Sequence, residues 1–270
     1  MTVRIEKNGA VWTVIHDRPQ ARNAMDPASA DALTAAFLEF DANAAASVAV
    51  FYGAGGAFCA GWDLKYVSTL DAAPPLSELD IPTAGPHGNG GEIPRGPLGP
   101  SRLELDKPVI AAIEGPAVAG GMELGLWCDF RVMAKDAYFG VYCRRWGVPL
   151  IDGGTVRLPR IVGQGRALEI ILTGRKVPAE ECLSIGLCEY VAPKGGARQK
   201  AEELAQEIAR FPQVCVRADR RSAIRSHGLG VREALIQEWY NGRRALIEDG
   251  VAGAARFKGG LGRHGDFDKI

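Results

Sequence analysis

The sequence predicts an α/β core followed by a helical C-terminal region. Two observations carry this. Short apolar runs recur, each ending in a small-residue turn that leads into a helical pattern. Such strand–turn–helix repetition is the mark of an α/β core. From about Ala197 the strand signals fade and only helical spacing remains. We therefore divide the chain into an α/β core over 1–195, containing a Pro/Gly-rich loop at 71–100, and a helical region over 196–270.

The elements follow in order. Val3 to Glu6 and Val11 to Ile15 alternate like strands about a turn at Asn8-Gly9. Asp26-Pro27 opens a helix, with aspartate as N-cap and proline at the first helical position. Leu33, Phe37, Leu38 and Phe40 are assigned to its apolar face. Val48 to Tyr52, Val109 to Ile113 and Phe130 to Ala134 read as short buried strands. Ala201 to Arg210, Val214 to Ser226 and Val231 to Ile247 read as amphipathic helices. Between Asp71 and Pro100 the repeated prolines and glycines leave nothing to propagate a helix or a central strand. A loop of this length is either a lid or a surface insertion; its place after the first turn described below favours a lid.

Composition excludes several function classes. The 32 Lys and Arg balance the 32 Asp and Glu among 270 residues, so no global field recruits nucleic acid or membrane. The six cysteines are scattered without metal or redox spacing, which predicts reduced thiols. The four histidines are isolated, and no metal is expected. With neither a signal peptide nor a membrane-length apolar run, the expected location is the cytoplasm. There is no P-loop, dinucleotide fingerprint or serine elbow. Arg217 to Arg221 reads as a solvated or subunit-facing basic cluster.

Chemistry concentrates in two turns, Ala57-Phe58-Cys59-Ala60-Gly61-Trp62-Asp63-Leu64-Lys65 and Ile113-Glu114-Gly115-Pro116-Ala117-Val118-Ala119-Gly120-Gly121-Met122-Glu123-Leu124. Small residues there allow close approach of a ligand and leave backbone N–H groups unpaired. Two converging turns of this kind can hold one oxyanion, and Glu123 follows one helical turn beyond the second. That arrangement suits formation of an enolate.

Together with these turns, the sequence resembles the crotonase (enoyl-CoA hydratase/isomerase) superfamily over nearly its whole length. The matching segments run from His16-Asp17-Arg18-Pro19-Gln20-Ala21-Arg22-Asn23-Ala24-Met25 through Cys128-Asp129-Phe130-Arg131 to Gly153-Gly154-Thr155-Val156-Arg157-Leu158-Pro159 and Leu172-Thr173-Gly174-Arg175. The resemblance implies a spiral of ββα units, then helices that build a homotrimer or homohexamer. It implies an acyl-CoA thioester substrate, with coenzyme A as part of that substrate and no further cofactor. By the same resemblance, the N–H groups of Trp62 and Gly120 form the oxyanion hole. The carbonyls of Ala60 and Leu64 hold the adenine amine, Arg22 contacts the CoA body, and Lys258 is similar to residues reaching a neighbouring subunit's phosphates.

Glu123 is the expected general base, against the bland reading of a solvated helix glutamate. Where family hydratases carry a second glutamate, this chain has Cys143, either a substitute acid or a small core residue. Asp152 is either a second working carboxylate or a cap for the helix beginning at Gly153-Gly154. Arg144 and Arg145 neutralise Asp152, bind a polar acyl group or face solvent, and the Trp62 indole walls the pocket or packs under the lid. The leading expectation is an enoyl-CoA hydratase, ahead of an isomerase, an acyl-CoA hydrolase or a non-catalytic acyl-CoA binder.

Overall fold

The structure, a computed structural model, describes residues 2–70, 74–81, 93–265 and 267. The chain begins with a hairpin, β1 (Val3–Asn8) and β2 (Val11–His16), closed by Gly9 at φ 58°. Helix α1 (Pro27–Ala42) starts where proline and cap require it: Asp26 accepts the Ser29 N–H at 2.8 Å. Leu33, Phe37 and Phe40 are buried on its inner face, but Leu38 is 50% exposed. Five residues beyond Leu33 is about 140° round the helix, which places Leu38 on the opposite side from the core.

Strand β3 (Val48–Gly53) leads through the first turn into the short α2 (Leu64–Val67). The 71–100 segment holds one helical turn, α3 (Pro74–Ser77), contrary to the expectation that no helix forms there. Prolines suit the first turn of a helix, whose N–H groups need no intrahelical partner. The lid expectation falls partly on 71–73 and 82–92, outside the described residues. The returning end is built into the core. Gly96 and Gly99 exchange N–H···O bonds of 3.0 and 2.9 Å, and Leu98 is only 2% exposed.

Next come β4 (Val109–Ile113), β5 (Pro116–Val118), α4 (Gly120–Trp127), β6 (Phe130–Ala134) and β7 (Tyr138–Gly140). A 3-10 turn over Tyr142–Trp146 precedes α5 (Gly154–Val162) and α6 (Gln164–Thr173). Strand β8 (Lys176–Pro178), α7 (Ala179–Ser184) and β9 (Tyr190–Ala192) complete the α/β part. The helical region comprises α8 (Ala197–Ala209), α9 (Gln213–Arg225), α10 (Val231–Ala245) and α11 (Val251–Lys258), with a wide turn over Leu246–Gly250 between the last two.

The larger sheet has the order β1-β2-β3-β4-β6-β9, antiparallel at the β1–β2 hairpin and parallel elsewhere. The smaller sheet is β5-β7-β8. Successive units, β4–β5–α4 and β6–β7–α5, place one strand in each sheet before their helix. This is the spiral of ββα units that the family resemblance implies. All residues of β2 and β4 are buried, as a sheet covered on both faces demands. Helix α1 lies against β2, while α8 packs across β2, β3, β4 and β6 through Ala201, Leu204 and Ala205. Phe37, Phe51 and Phe58 interlock edge to face, at centroid distances of 5.3 and 5.0 Å.

The basic cluster on α9 is not simply solvated. Arg220 donates to Asp129 at 2.7 Å and to the Leu105 carbonyl at 2.5 Å, tying α9 to the sheet. Asp129 in turn accepts the Val109 N–H at 2.8 Å. Among the described residues, no helix is long and apolar enough to cross a membrane.

Candidate active site

The two turns lie against each other and are joined by backbone hydrogen bonds. The Phe58 N–H donates to the Pro116 carbonyl, and the Val118 N–H to that of Cys59, both at 3.0 Å. Met25 bridges the first turn from the other side: its N–H donates to the Gly61 carbonyl at 2.7 Å, and its carbonyl accepts the Asp63 N–H at 2.8 Å. Successive peptide groups of extended chain point opposite ways, so the Trp62 N–H is directed away from Met25. It has no acceptor among the described residues.

The second turn stores strain at Ala119, a non-glycine residue at φ 54° and ψ −124°. Such a backbone costs on the order of 1–3 kcal/mol and is held here by surrounding contacts. One of these is the Ala119 N–H donating to the Gly140 carbonyl at 2.8 Å. The strained residue starts α4 abruptly at Gly120 without a side-chain cap, leaving the Gly120 N–H unpaired among the described residues. Gly61 is where the turns touch. A Cβ there would stand 3.0 Å from the Gly120 nitrogen. At Gly121 a Cβ would overlap the Cys59 carbonyl. Two unpaired donors thus face one cavity, with the positive end of α4 behind one of them.

That cavity has a volume of about 220 Å³. Its walls are Ala60, Trp62 and Leu64 from the first turn, Val118 to Gly120 from the second, Arg22 at the edge, and Leu98 from the returning loop. Glu123, Cys143 and Asp152 also line it, as do Tyr142, Arg145 and Trp146. The Trp62 indole is therefore a wall of the cavity. Tyr66 stands behind it at a ring distance of 6.2 Å, in a separate depression shared with Leu79, Arg95 and Pro97.

Glu123 is buried, not a solvated helix residue, with 2% of its surface exposed. Its Oε1 accepts the N–H groups of Asp152 at 2.9 Å and Gly154 at 2.8 Å. Gly154 has to be glycine for this approach, since a Cβ would stand 2.9 Å from that oxygen. Burial first, then the charge of Asp152, push the Glu123 carboxyl up to about 7, outweighing the two N–H bonds that favour the carboxylate.

Asp152 does not cap α5. The N-cap of that helix is Gly153, and no side chain caps it. The carboxyl turns instead toward the returning loop, where Oδ1 accepts the Leu98 N–H at 3.0 Å and the Ser101 hydroxyl. Oδ2 is buried without a partner among the described residues. Burial pushes this carboxyl above the usual aspartate range, against the Ser101 and Leu98 bonds that lower it. Glu123 and Asp152 are thus neighbouring buried carboxyls of unequal surroundings, the pattern that lets one hold a proton while the other ionises.

Cys143 lies 7% exposed in the 142–146 turn. Burial and the nearby Glu123 charge raise its thiol, so it stays protonated rather than serving as a thiolate nucleophile. Arg144 donates to the Ile171 carbonyl at 3.3 Å, whereas Arg145 stacks 4.8 Å over the Tyr142 ring. Neither neutralises Asp152; the cations acting on it are Arg102 and Arg157. Arg22 is exposed at φ 51° and its carbonyl accepts the Ala60 N–H at 3.1 Å. The Leu64 carbonyl accepts the Ser68 N–H at 3.0 Å and keeps one lone pair. Lys258, at the end of α11, is not among the residues lining this cavity. No cluster of three metal-ligating side chains occurs among the described residues.

Sequence reasoning missed Leu98, Ser101 and Arg157 as parts of the site. The first two sit in a stretch without periodicity. Arg157 is reached only through its bonds to the Asp152 and Ser101 carbonyls, at 3.0 and 2.8 Å.

Known proteins share this architecture. The chain is 33% identical over 252 residues to enoyl-CoA hydratase EchA19 of Mycobacterium tuberculosis, covering 91% of this chain and 88% of that protein. It is 34% identical over 220 residues to carnitinyl-CoA dehydratase of Salmonella typhi, covering 80% and 78%. The solved structure of enoyl-CoA hydratase EchA1 from Mycobacterium marinum superposes with a TM-score of 0.83 at 31% identity, over 95% of both chains. Residues 6–75 and 101–229 match the family described as enoyl-CoA hydratase/isomerase, and the chain belongs to that family, within the crotonase superfamily.

Proposed function

We propose that the protein is a 2-enoyl-CoA hydratase, adding water across the double bond to give a 3-hydroxyacyl-CoA. The observation that carries this reading is Glu123, whose burial raises its carboxyl to about 7 one turn beyond the unpaired Gly120 N–H. The thioester oxygen would accept from the Trp62 and Gly120 N–H groups. Glu123 takes a proton from water as its oxygen bonds C3, and the π electrons move onto the thioester as an enolate. The pair holds one proton, which passes between the two carboxyls. In the reacting form Glu123 is ionised and Asp152 is protonated. Asp152 gives its proton to C2 and recovers one from Glu123, which balances the cycle. Each oxyanion donor is worth about 3 kcal/mol in the transition state. Arg22 and the carbonyls of Ala60 and Leu64 are proposed to bind the CoA moiety. We further propose a cytoplasmic homotrimer or homohexamer in which Lys258 reaches a neighbour's CoA phosphates. The coenzyme A of the substrate is the only cofactor the reaction requires.

One observation favours a second reading. Cys143 stands where the family resemblance places the second glutamate of hydratases, and this departure makes double-bond isomerisation or thioester hydrolysis the second reading. The test is turnover of crotonyl-CoA and a longer enoyl-CoA, with loss of the enoyl absorbance followed and the product identified by mass. We expect gain of one water, and a loss of about 10²- to 10⁴-fold in Glu123→Gln with binding of CoA analogues kept. An unchanged mass with a shifted double bond would assign an isomerase, and free CoA a hydrolase. Binding of CoA analogues without turnover of any of these substrates would assign a non-catalytic binder.

A further inference from the structure

The partners of Asp152 come from a segment lying between the two stretches matched by the family and from the residue that follows it. Residues 93–100 return from the Pro/Gly-rich loop and run into a 3-10 turn, Pro100–Arg102, in which Ser101 is 1% exposed. The Ser101 hydroxyl and the Leu98 N–H both donate to Oδ1 of Asp152. Ser101 is itself fixed. Its carbonyl accepts Arg157 Nη2 at 2.8 Å, and the same guanidinium donates through Nη1 to the Asp152 carbonyl at 3.0 Å. Gly96 completes the enclosure, because a Cβ there would overlap the Ser101 hydroxyl and press on Asp152 Oδ1. The two carboxyl oxygens are therefore unlike. Oδ1 accepts two hydrogen bonds, while Oδ2 is buried without any partner among the described residues.

A backbone N–H can only donate, so a proton on Oδ1 would set two donors against each other. We propose that Ser101 is a positioning residue: with the Leu98 N–H it occupies Oδ1 of Asp152 and leaves Oδ2 as the oxygen that carries the transferable proton. This inference rests on the two-carboxylate reading given above. The step is a simple proton transfer. The O–H bond at Oδ2 breaks as the C–H bond at C2 of the enolate forms, and the electron pair stays on Asp152. The resulting negative charge is met at Oδ1 by donors already in place, so little reorganisation accompanies the transfer. The other groups acting on Asp152 or its neighbours are Glu123 from α4, Arg157 from α5, Arg102 from the 100–102 turn, and the Cys59 thiol from the first turn. None of them bonds either carboxyl oxygen of Asp152 among the described residues. Ser101 therefore supplies the only side-chain hydrogen bond to the carboxyl there.

The test uses the full chain with ¹³C-carboxyl aspartate, the Asp152 resonance being identified as the one lost in Asp152→Asn. In Ser101→Ala the Asp152 midpoint is expected to rise by about one pH unit, the weight of one lost bond to a charged acceptor. Ser101→Thr, which keeps the hydroxyl, should return it to the wild-type value. Where Ser101→Ala does not fold, Ser101→Cys, of similar bulk and a weaker donor, takes its place. In the pH profile of turnover, the limb that Asp152→Asn abolishes should move in the same sense. There kcat falls about tenfold while KM holds. A midpoint in Ser101→Ala equal to that of wild type overturns the proposal, whatever the turnover. A shifted midpoint in a chain that hydrates no enoyl-CoA keeps the positioning role and removes the hydratase reading instead.

Discussion

Glu123 is where stability and activity pull against each other. Its carboxyl moves from an ordinary 4.5 to about 7 in the folded chain, so folding favours the protonated form. The stabilisation is complete below about 4.5 and is lost as pH rises through about 7. Above that the buried carboxylate costs about 3 kcal/mol. Catalysis by a general base has the opposite demand, since only the carboxylate can accept the proton from water. With Asp152 as the acid, one proton must stay on the pair. We therefore expect kcat/KM to fall as pH rises through about 7, where both carboxyls are ionised, and that fall to vanish in Glu123→Gln. The same variant should gain stability over wild type by up to about 3 kcal/mol between pH 4.5 and 8. Glutamine can still accept both N–H bonds at Oε1 but carries no charge. Urea unfolding of the two proteins across that range decides it. A difference that does not vary with pH would mean that Glu123 is not desolvated as the fold indicates.

At the scale of elements, α4 shows why the site needs glycine at positions that helix propensity would give to alanine. Gly121 has ordinary helical geometry, so Gly121→Ala should stabilise an isolated helix by about 1 kcal/mol. In this fold the new methyl would overlap the Cys59 carbonyl, and neither backbone can yield without parting the two turns. The net effect is expected to be a loss of about 3 kcal/mol, with turnover falling further than stability because Trp62 and Gly120 separate. Denaturation and turnover at a temperature where both proteins stay folded test this. Wild-type activity in a destabilised Gly121→Ala would disconnect the turns from the chemistry. Such packing is only partly legible in the sequence. The turns, the cap at Asp26 and the strands Val109–Ile113 and Phe130–Ala134 are local patterns and were readable. The placing of Leu38 inward failed because size and hydrophobicity do not fix a helical face. The partners of Asp152 lie 54 and 51 residues away, in a stretch whose prolines and glycines erase periodicity, so only the assembled fold brings them together.

For the molecule as a whole, the core between the sheet and its helices is closed, while α10 and the turn after it carry a run of exposed apolar side chains. On α10, Val231, Leu235, Ile236, Trp239 and Tyr240 form one stripe, and each is 49–79% exposed. Leu246 and Ile247 in the wide turn and Val251 at the start of α11 extend it, at 57–66%. A contiguous apolar face of this kind is rarely left to water and marks an interaction surface. The proposed homotrimer or homohexamer would cover it. Trp239→Asp should then sediment as a smaller species than wild type, since a charge buried without a partner opposes assembly. Its Asp152 and Glu123 midpoints should stay the same, because both carboxyls are held by segments within one chain. The proposed role of Lys258 adds a kinetic signature. If a neighbour's lysine reaches the CoA phosphates, loss of assembly raises KM for acyl-CoA more than it lowers kcat. Sedimentation of the wild type at 28.8 kDa would overturn the assembly, and with it any role for Lys258 in another subunit's site.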